Sequence, residues 1–306
     1  MRLALLAIPA VRSALSLEIG RDIEYHQALA STQDRARALA TAGSGPAVVV
    51  ADHQTAGQGT RGRSWEAPAG TSLLASWLFR PAPAEPGLFA LLAGVAVARA
   101  LARLGMSDAS LKWPNDVEAG HKKVAGALAH ATTDGEGCSL VLGIGVNVHQ
   151  ARDDFPQELR ASATSLALAG HQLDRLSLFV DLTRELERVA VPAERRAALD
   201  EWRTRSTLLG REVEVTREGR PVIRGLARDI AEDGALLVGD PLQDALQHRE
   251  PLISFGRPTI AGTGVATSIL AERYKAGDSM DALADDYGCQ RAQIEEAVRC
   301  ELALAA

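Results

Sequence analysis

Short apolar runs alternate with glycine-rich and polar segments over the first half of the chain. The valine-rich residues 47–51 and the mostly apolar residues 72–79 predict two strands. Residues 87–104 are apolar almost all round, which predicts a helix buried against a sheet. Further strand-like runs separated by polar turns predict an antiparallel meander, at 110–117, 122–128 and 139–148. The pattern therefore indicates an α+β domain whose sheet is mixed and mostly antiparallel.

Polar residues mark the ends of the predicted helices. Ser31 and Thr32 precede an alanine-rich segment that stops at Gly43, which is typical of an N-cap and of a C-terminal glycine. Two more helices are predicted at about 174–189 and 193–206. The hydroxyls at 31 and 32 either only cap their helix or also bind a ligand, because exposed groups at a helix start can serve both purposes.

The pattern changes at residue 207 and again at residue 256. Short alternating runs with glycine-containing turns predict a small all-β barrel at 207–255. Residues 256–306 are predicted to be a small all-α tail resembling a helix-turn-helix, with Ser279 as an N-cap and Gly288 in the turn. The predicted domains are therefore 1–206, 207–255 and 256–306.

Composition and charge narrow the classes of function. The net charge of −6 argues against bulk binding to nucleic acids or membrane surfaces. Three cysteines without a CxxC pair indicate a reduced, cytoplasmic setting. The N-terminal residues lack a signal-peptide pattern, and no apolar run is expected to span a bilayer. In the tail, five basic and eight acidic residues give a net charge of −3, which argues against a nucleic-acid partner.

The segment 52–65 carries the first candidate chemistry. It contains three glycines and two arginines: Gly57, Gly59, Gly62, Arg61 and Arg63. Glycine lets backbone amides approach an anion, and arginine adds planar donors for phosphate or carboxylate. We interpret the segment as an anion-binding loop for a nucleotide phosphate, with a flexible surface loop as the alternative. The GxGxxG spacing does not make it a dinucleotide fingerprint, because no helix can open there, and no Gly-Lys-Ser/Thr follows to make a P-loop.

Polar residues also cluster at or near the ends of the meander strands. They are Lys112, Asn115, Asp116, Lys123 and Asn147. Loops and strand ends on a rigid sheet are common places for functional groups. Glycines inside strands, at 126 and 145, indicate that a ligand or a second backbone approaches the sheet closely.

Five motifs, taken together and in order, resemble those of the biotin protein ligases. They are Ser31-Thr32-Gln33-Asp34, the loop at 54–65, Lys112-Trp113-Pro114-Asn115-Asp116, Lys123-Val124-Ala125-Gly126 and Gly143-Ile144-Gly145-Val146-Asn147. The resemblance covers about residues 20–255 and implies a class II synthetase-like catalytic domain followed by the small barrel. It implies the monofunctional type, because no DNA-binding domain precedes the catalytic motifs.

The resemblance implies a two-step reaction with ATP, Mg²⁺ and biotin. The carboxylate of biotin attacks the α-phosphate to give biotinyl-5′-AMP and pyrophosphate. A lysine of a biotin carboxyl carrier domain, from acetyl-CoA carboxylase or a related carboxylase, then displaces AMP. The family includes monomers and dimers, so a homodimer is one of the states that the resemblance allows.

The resemblance also assigns roles to residues. Catalytic roles fall to Lys123, Arg61 and Arg63. Biotin is expected to contact Ser31, Thr32, Gln33, Gln54, Gln58, Gly59, Thr60, Lys123 and Gly126. ATP is expected to contact Gly57, Arg61, Arg63, Trp65, Lys112, Asn115, Asp116 and Asn147, with Asp116 as a magnesium ligand.

The sequence departs from the family pattern in the loop. Gln58 and Thr60 stand where many members have arginines, so we expect the adenylate to leak faster. Gln33 replaces the asparagine of a Ser-Thr-Asn pattern. The tail resembles a short antitoxin-like domain of unknown function. Two alternatives stay open: a lipoate-type ligase, and a biotin-sensing regulator that acts through the C-terminal helices.

Overall fold

The centre of the protein is a mixed, mostly antiparallel sheet. The structure, a computed structural model, describes residue 19 and residues 22–83, 85–134, 137–216, 222–239, 246–250, 258–260 and 267–304. The main strands are β1 (Ile23–His26), β2 (Ala47–Ala51), β3 (Ser72–Phe79), β4 (Ser110–Lys112), β5 (Asp116–Ala119), β6 (Lys122–Asp134) and β7 (Gly137–Asn147). Their order is β1-β2-β3-β7-β6-β5-β4, and of these pairs only β1–β2 is parallel. The α+β class and the antiparallel meander are confirmed, but the run at 110–117 is not one strand: it forms β4 and the start of β5, which pair with each other.

Helices cover both faces of this sheet. They are α1 (Thr32–Thr41), α2 (Phe89–Arg103), α3 (Arg175–Ala190) and α4 (Pro192–Arg205). Successive strand residues point to opposite faces. Val49 therefore packs with α1, whereas Val48 and Val50 belong to the larger core on the side of α2. There Trp77 stacks on Phe179 of α3, with ring centroids 5.9 Å apart.

The buried helix corrects one expectation. Residues Pro86–Arg103 are long and apolar enough to cross a membrane by length and composition, although no such run was expected. Most of this segment is buried inside the protein, where α2 contacts β6, α3 and α4. The sheet and helices provide an apolar surrounding, so its apolarity is accounted for by core packing.

A second, smaller sheet follows the main sheet and its helices in the sequence. Its strands β8 (Glu212–Val215), β9 (Ile223–Ile230), β10 (Leu236–Gly239) and β11 (Leu246–Glu250) are all antiparallel, in the order β11-β10-β9-β8. Ala227 and Ile230 join the main core, and Trp113 donates to the carbonyl of Gly234 at 3.1 Å. Closure into a barrel stays a prediction, and residues 251–255 of the predicted barrel lie outside the described residues.

The tail adds one strand and three helices. β12 (Pro258–Ile260) pairs in parallel with residues 131–133 of β6. The helices α5 (Thr267–Lys275), α6 (Met280–Tyr287) and α7 (Arg291–Leu304) share a small separate core around Leu270 and Ile294. Ser279 caps α6, and Gly288 ends it with φ at 62°, both as predicted. The exact domain boundaries stay predictions.

Candidate functional site

A cleft opens on the α1 face of the sheet, where β3, β7 and β6 lie side by side. About 460 Å³ of space lies within it, counting the part open to solvent. All nine residues predicted to bind biotin line it, together with Trp65: Ser31, Thr32, Gln33, Gln54, Gln58, Gly59, Thr60, Lys123 and Gly126. They come from the start of α1, the loop after β2 and the strand β6. Residues up to 95 positions apart in the sequence are therefore brought to one cavity.

Polar side chains form the inner wall of the cleft. Gln54 Oε1 accepts hydrogen bonds from the backbone N–H of Thr32 at 2.7 Å and from its hydroxyl at 3.0 Å. The hydroxyl of Thr32 accepts in turn from Ser76 at 2.8 Å. Ser31 accepts from the backbone N–H of Asp34 at 3.3 Å and so caps α1. The capping role is observed, and the role in ligand binding stays a prediction.

The side chain of Gln33 lies flat on the sheet because residue 143 is glycine. Gln33 Nε2 donates to the carbonyls of Leu128 at 3.3 Å and Val141 at 3.2 Å. A Cβ atom on Gly143 would overlap Gln33 Oε1. The glycine therefore provides the space that the longer glutamine requires.

The loop is folded as a tight hairpin that closes one side of the cleft. Gly59 N donates to Arg63 O at 2.7 Å, and Trp65 N donates to Gly57 O at 2.9 Å. The 3-10 turn Thr60–Gly62 lies at its tip. The amides of Gly59 and Trp65 are thus used inside the hairpin. The predicted anion-binding role of the loop as a whole stays a prediction.

The hairpin also contacts α1. Gln58 Nε2 donates to Asp34 Oδ2 at 2.9 Å, in the first turn of that helix. Arg63 is exposed, and its guanidinium group donates to the carbonyl of Thr60 over a long distance of 3.4 Å. Only the backbone of Arg61 is described. The predicted phosphate contacts of both arginines therefore stay predictions.

The indole of Trp65 covers the two glycines that the sequence marked inside strands. Gly126 and Gly145 are register partners on β6 and β7. A Cβ on Gly145 would lie 2.7 Å from the indole, and one on Gly126 would lie 3.4 Å from it. A side chain of the loop, and not a second backbone, makes the close approach. Trp65 Nε1 is buried without a hydrogen-bond partner among the described residues, so the cleft contains an unused donor.

Lys123 brings a positive charge to the cleft. Its Nζ lies 2.6 Å from Asp116 Oδ1 and 5.7 Å from the centroid of Trp65, within cation–π range. Its backbone is fixed by an N–H bond to Ser162 O at 2.8 Å and by the amide of Thr164, which donates to its carbonyl. The side chain is 32% exposed, so a ligand in the cleft can reach the ammonium group.

The remaining residues predicted for ATP lie around the cleft and do not line it. Asn115 Nδ2 donates to the carbonyl of Ala127 at 2.7 Å, and Asn147 Nδ2 donates to Thr164 O at 3.0 Å. Both side chains are buried and brace neighbouring backbone. Lys112 lies 3.8 Å from Glu118. Their roles toward ATP stay predictions.

The structure also shows cleft residues that the sequence reasoning missed. Ser76 is fully buried and bonds to Thr32. Its signal is a hydroxyl in the middle of an apolar strand, because such a group is buried only with a partner. Leu74, Ala75, Ala127, Leu128, Gly143, Ile144 and Gly145 complete the lining. These apolar and glycine positions carry no chemical signal that separates them from other strand residues.

Family matches divide the chain into three parts. Residues 27–147 match the Biotin/lipoate A/B protein ligase family. Residues 208–244 match the Biotin protein ligase C terminal domain. Residues 248–299 match a protein of unknown function, DUF433.

Relatives and solved structures agree with the first two matches. The chain is 38% identical over 172 residues to the bifunctional ligase/repressor BirA of Bacillus subtilis, covering 54% of this chain and about half (53%) of that relative. It is 38% identical to the biotin--[acetyl-CoA-carboxylase] ligase of Mycobacterium tuberculosis, over 66% of this chain and 76% of that one. The Aquifex aeolicus biotin protein ligase in complex with biotin and ATP matches with a TM-score of 0.61 and 28% identity, over 77% of this chain and 97% of that chain. The chain belongs to the biotin protein ligase family.

Proposed function

We propose that this protein joins biotin to a lysine of a biotin carboxyl carrier domain, using ATP. The observation that carries the proposal is that every residue predicted to contact biotin lines one cleft, with the ammonium group of Lys123 among them. The similar ligase from Aquifex aeolicus binds biotin and ATP, which supports the same substrates here.

In the first step, a carboxylate oxygen of biotin bonds to the α-phosphorus of ATP, and the bond from that phosphorus to the bridging oxygen breaks to release pyrophosphate. Negative charge gathers around the α-phosphate as this happens, so a fixed donor there lowers the barrier. Lys123 is suited to this task, because the hydrogen bonds of its backbone and the Asp116 carboxylate fix its position. It also reduces the repulsion between two anionic reactants.

In the second step, the lysine amine of the carrier attacks the acyl carbon of the adenylate. The carbon–oxygen bond to AMP breaks, and the nitrogen loses a proton to complete the amide. The adenylate is a mixed anhydride that water hydrolyses, so a hairpin over the cleft protects it until the carrier arrives. The contact between Gln58 and Asp34 holds the hairpin against α1.

The role of Asp116 as a magnesium ligand stays a prediction. Among the described residues, no three His, Cys, Asp or Glu side chains are grouped to hold a metal ion. Asp116, the predicted ligand, is paired with Lys123 at 2.6 Å.

The ion pairs of the tail and the state of the cysteines bear on the partner and on the cellular location of the protein. Arg273, Arg291 and Arg299 of the tail each pair with carboxylates of the tail, as at the 2.6 Å contact of Arg273 with Asp278. Arginines held this way offer little charge to a phosphate backbone, which supports a carrier protein as partner in place of nucleic acid or membrane. Cys138 and Cys289 form no disulfide among the described residues, which supports a cytoplasmic setting.

Release of pyrophosphate from ATP tests whether biotin or lipoate is the substrate. We expect biotin to stimulate release from ATP, with lipoate inert at equal concentration. The physical reason is that the wall formed by Thr32, Gln54 and Ser76 offers polar partners for the ureido ring of biotin, which lipoate lacks. Stimulation by lipoate and not by biotin would favour a lipoate-type ligase.

The rate of adenylate release tests the effect of Thr60, which stands where many family members have arginine. Thr60 lines the cleft at the tip of the hairpin, where it brings no positive charge toward the adenylate phosphate. We expect Thr60→Arg to slow the release of radiolabelled adenylate by about tenfold, because one charge-assisted contact contributes about 1.5–3 kcal/mol at most. Thr60→Gln is the control of similar reach without charge. Equal release rates for wild type and Thr60→Arg would contradict this explanation.

A further inference from the structure

A buried ion pair lies beneath the base of the cleft loop, away from the cleft itself. Arg175, the first residue of α3, donates from one nitrogen to Asp52 Oδ1 at 3.0 Å and to the carbonyl of Ser72 at 3.1 Å. The two side chains are 2% and 6% exposed. Tyr25 donates to the other carboxylate oxygen of Asp52 at 2.6 Å. Both oxygens of Asp52 are thus held by side chains from outside the loop.

These contacts join the two ends of the loop. Asp52 is the residue at which the chain leaves β2, and Ser72 is the residue at which it enters β3. The carbonyl of Asp52 also accepts from the N–H of Gly70 at 2.8 Å. The segment between them, including the cleft residues Gln54 and Trp65, leaves and rejoins the sheet at this base, and its first residues also bond to the backbone at 29 and 30.

A buried ion pair is a weak source of net stability, because desolvation offsets much of the attraction. Its geometric effect is stronger, because the planar guanidinium group fixes the direction of each N–H, so that one nitrogen of Arg175 holds two acceptors in a set arrangement. Here those acceptors lie at the two ends of one loop, so the pair determines how the loop leaves the sheet. We propose that Arg175 is a positioning residue that, through Asp52 and Ser72, holds the hairpin at 57–65 closed over the cleft.

This proposal deepens the proposed function and rests on it for its purpose, which is retention of the adenylate. Its physical claim can be tested without any ligase activity. Hydrogen exchange of the segment 57–65 reports closure directly, because the amides of Gly59 and Trp65 bond within the hairpin. The segment 137–147 in β7 reports the sheet.

The experiment compares Arg175→Lys with wild type in the full chain. Lysine keeps the charge, but its side chain is shorter and its ammonium group rotates freely, so it does not hold both acceptors in the arrangement set by the guanidinium nitrogen of Arg175. We expect exchange in 57–65 to become about tenfold faster, with 137–147 unchanged. Arg195→Lys is the matched control, because Arg195 is also buried and ion-paired, to Glu85 at 3.2 Å, on another helix. It is expected to leave 57–65 unchanged.

Exchange in 57–65 within twofold of wild type would overturn the proposal, as would an equal rise in Arg195→Lys. If Arg175→Lys does not fold, Tyr25→Phe takes its place, because it removes only the hydroxyl that holds Asp52. The hydrogen-exchange rate of Tyr25→Phe must then rise more than twofold in 57–65, with the rate in 137–147 unchanged. Adenylate release measured on the same variants separates the two ideas. If Arg175→Lys exchanges faster in 57–65 but the wild-type protein forms no adenylate, the positioning role of Arg175 is supported and the proposed function is contradicted.

Discussion

Alanine in place of Lys123 is expected to slow adenylate formation by about 10²–10³-fold, the usual effect of removing one fixed donor from a developing charge. The variant leaves Asp116 without the ammonium group that lies 2.6 Å away. It also leaves the reacting carboxylate and phosphate without a cation between them. Single-turnover pyrophosphate release, with biotin and ATP both saturating, measures the effect on chemistry without interference from binding.

Lys122→Ala is the matched control for this variant. Lys122 is the preceding residue of β6, and its exposed side chain points away from the cleft, because neighbours on a strand face opposite sides. We expect it to react at the wild-type rate. A folded Lys123→Ala variant could instead form adenylate at a rate within about threefold of wild type. Such a small effect is far below that of removing a catalytic donor and would contradict that role for Lys123.

Alanine at residue 143 is expected to damage the cleft through Gln33. The added Cβ would overlap Gln33 Oε1, so the amide must leave its bonds to Leu128 and Val141 and move into the cleft. Overpacking of this kind costs about 1–3 kcal/mol of unfolding free energy. We expect a lower Tm and a rise in the biotin KM of about tenfold, equivalent to about 1.4 kcal/mol.

Adding the substitution Gln33→Asn to the variant with alanine at residue 143 tests whether the damage comes from the contact with Gln33. Asparagine is one methylene shorter, so it withdraws the amide from the new Cβ. The double variant should recover most of the lost Tm and biotin affinity, and the double-mutant cycle measures the coupling. Gly45→Ala is the control, because nothing lies within 4 Å of the added atom. Additive effects of the two substitutions would show that Gln33 and Gly143 do not act through this contact.

Local features of the fold could be predicted from the sequence because their causes are local. Ser31, Ser279 and Gly288 stop or start helices through bonds to residues three or four positions away. The buried α2 was predicted from its apolar surface alone. Its length and composition, however, also fit a membrane span, and only the packing against β6 shows where its apolar residues are buried.

The contacts within the candidate site could not be predicted from the sequence. Motif resemblance selected the residues that line the cleft, but not their contacts. The indole of Trp65 over Gly145 depends on how the loop folds back across β7. The bond from Arg175 to Asp52 joins residues 123 positions apart, and no spacing rule connects them. Such contacts follow from the register of the whole sheet and not from any short segment.

The most direct test of the account is transfer of biotin to a carrier. An isolated biotin carboxyl carrier domain is incubated with the full chain, biotin and ATP, and its mass is followed over time. We predict the addition of one biotinyl group on one lysine, dependent on ATP, with Lys123→Ala slowed by about 10²–10³-fold. Wild-type protein that binds biotin and ATP but leaves the carrier unmodified would contradict ligase activity and would favour the biotin-sensing regulator.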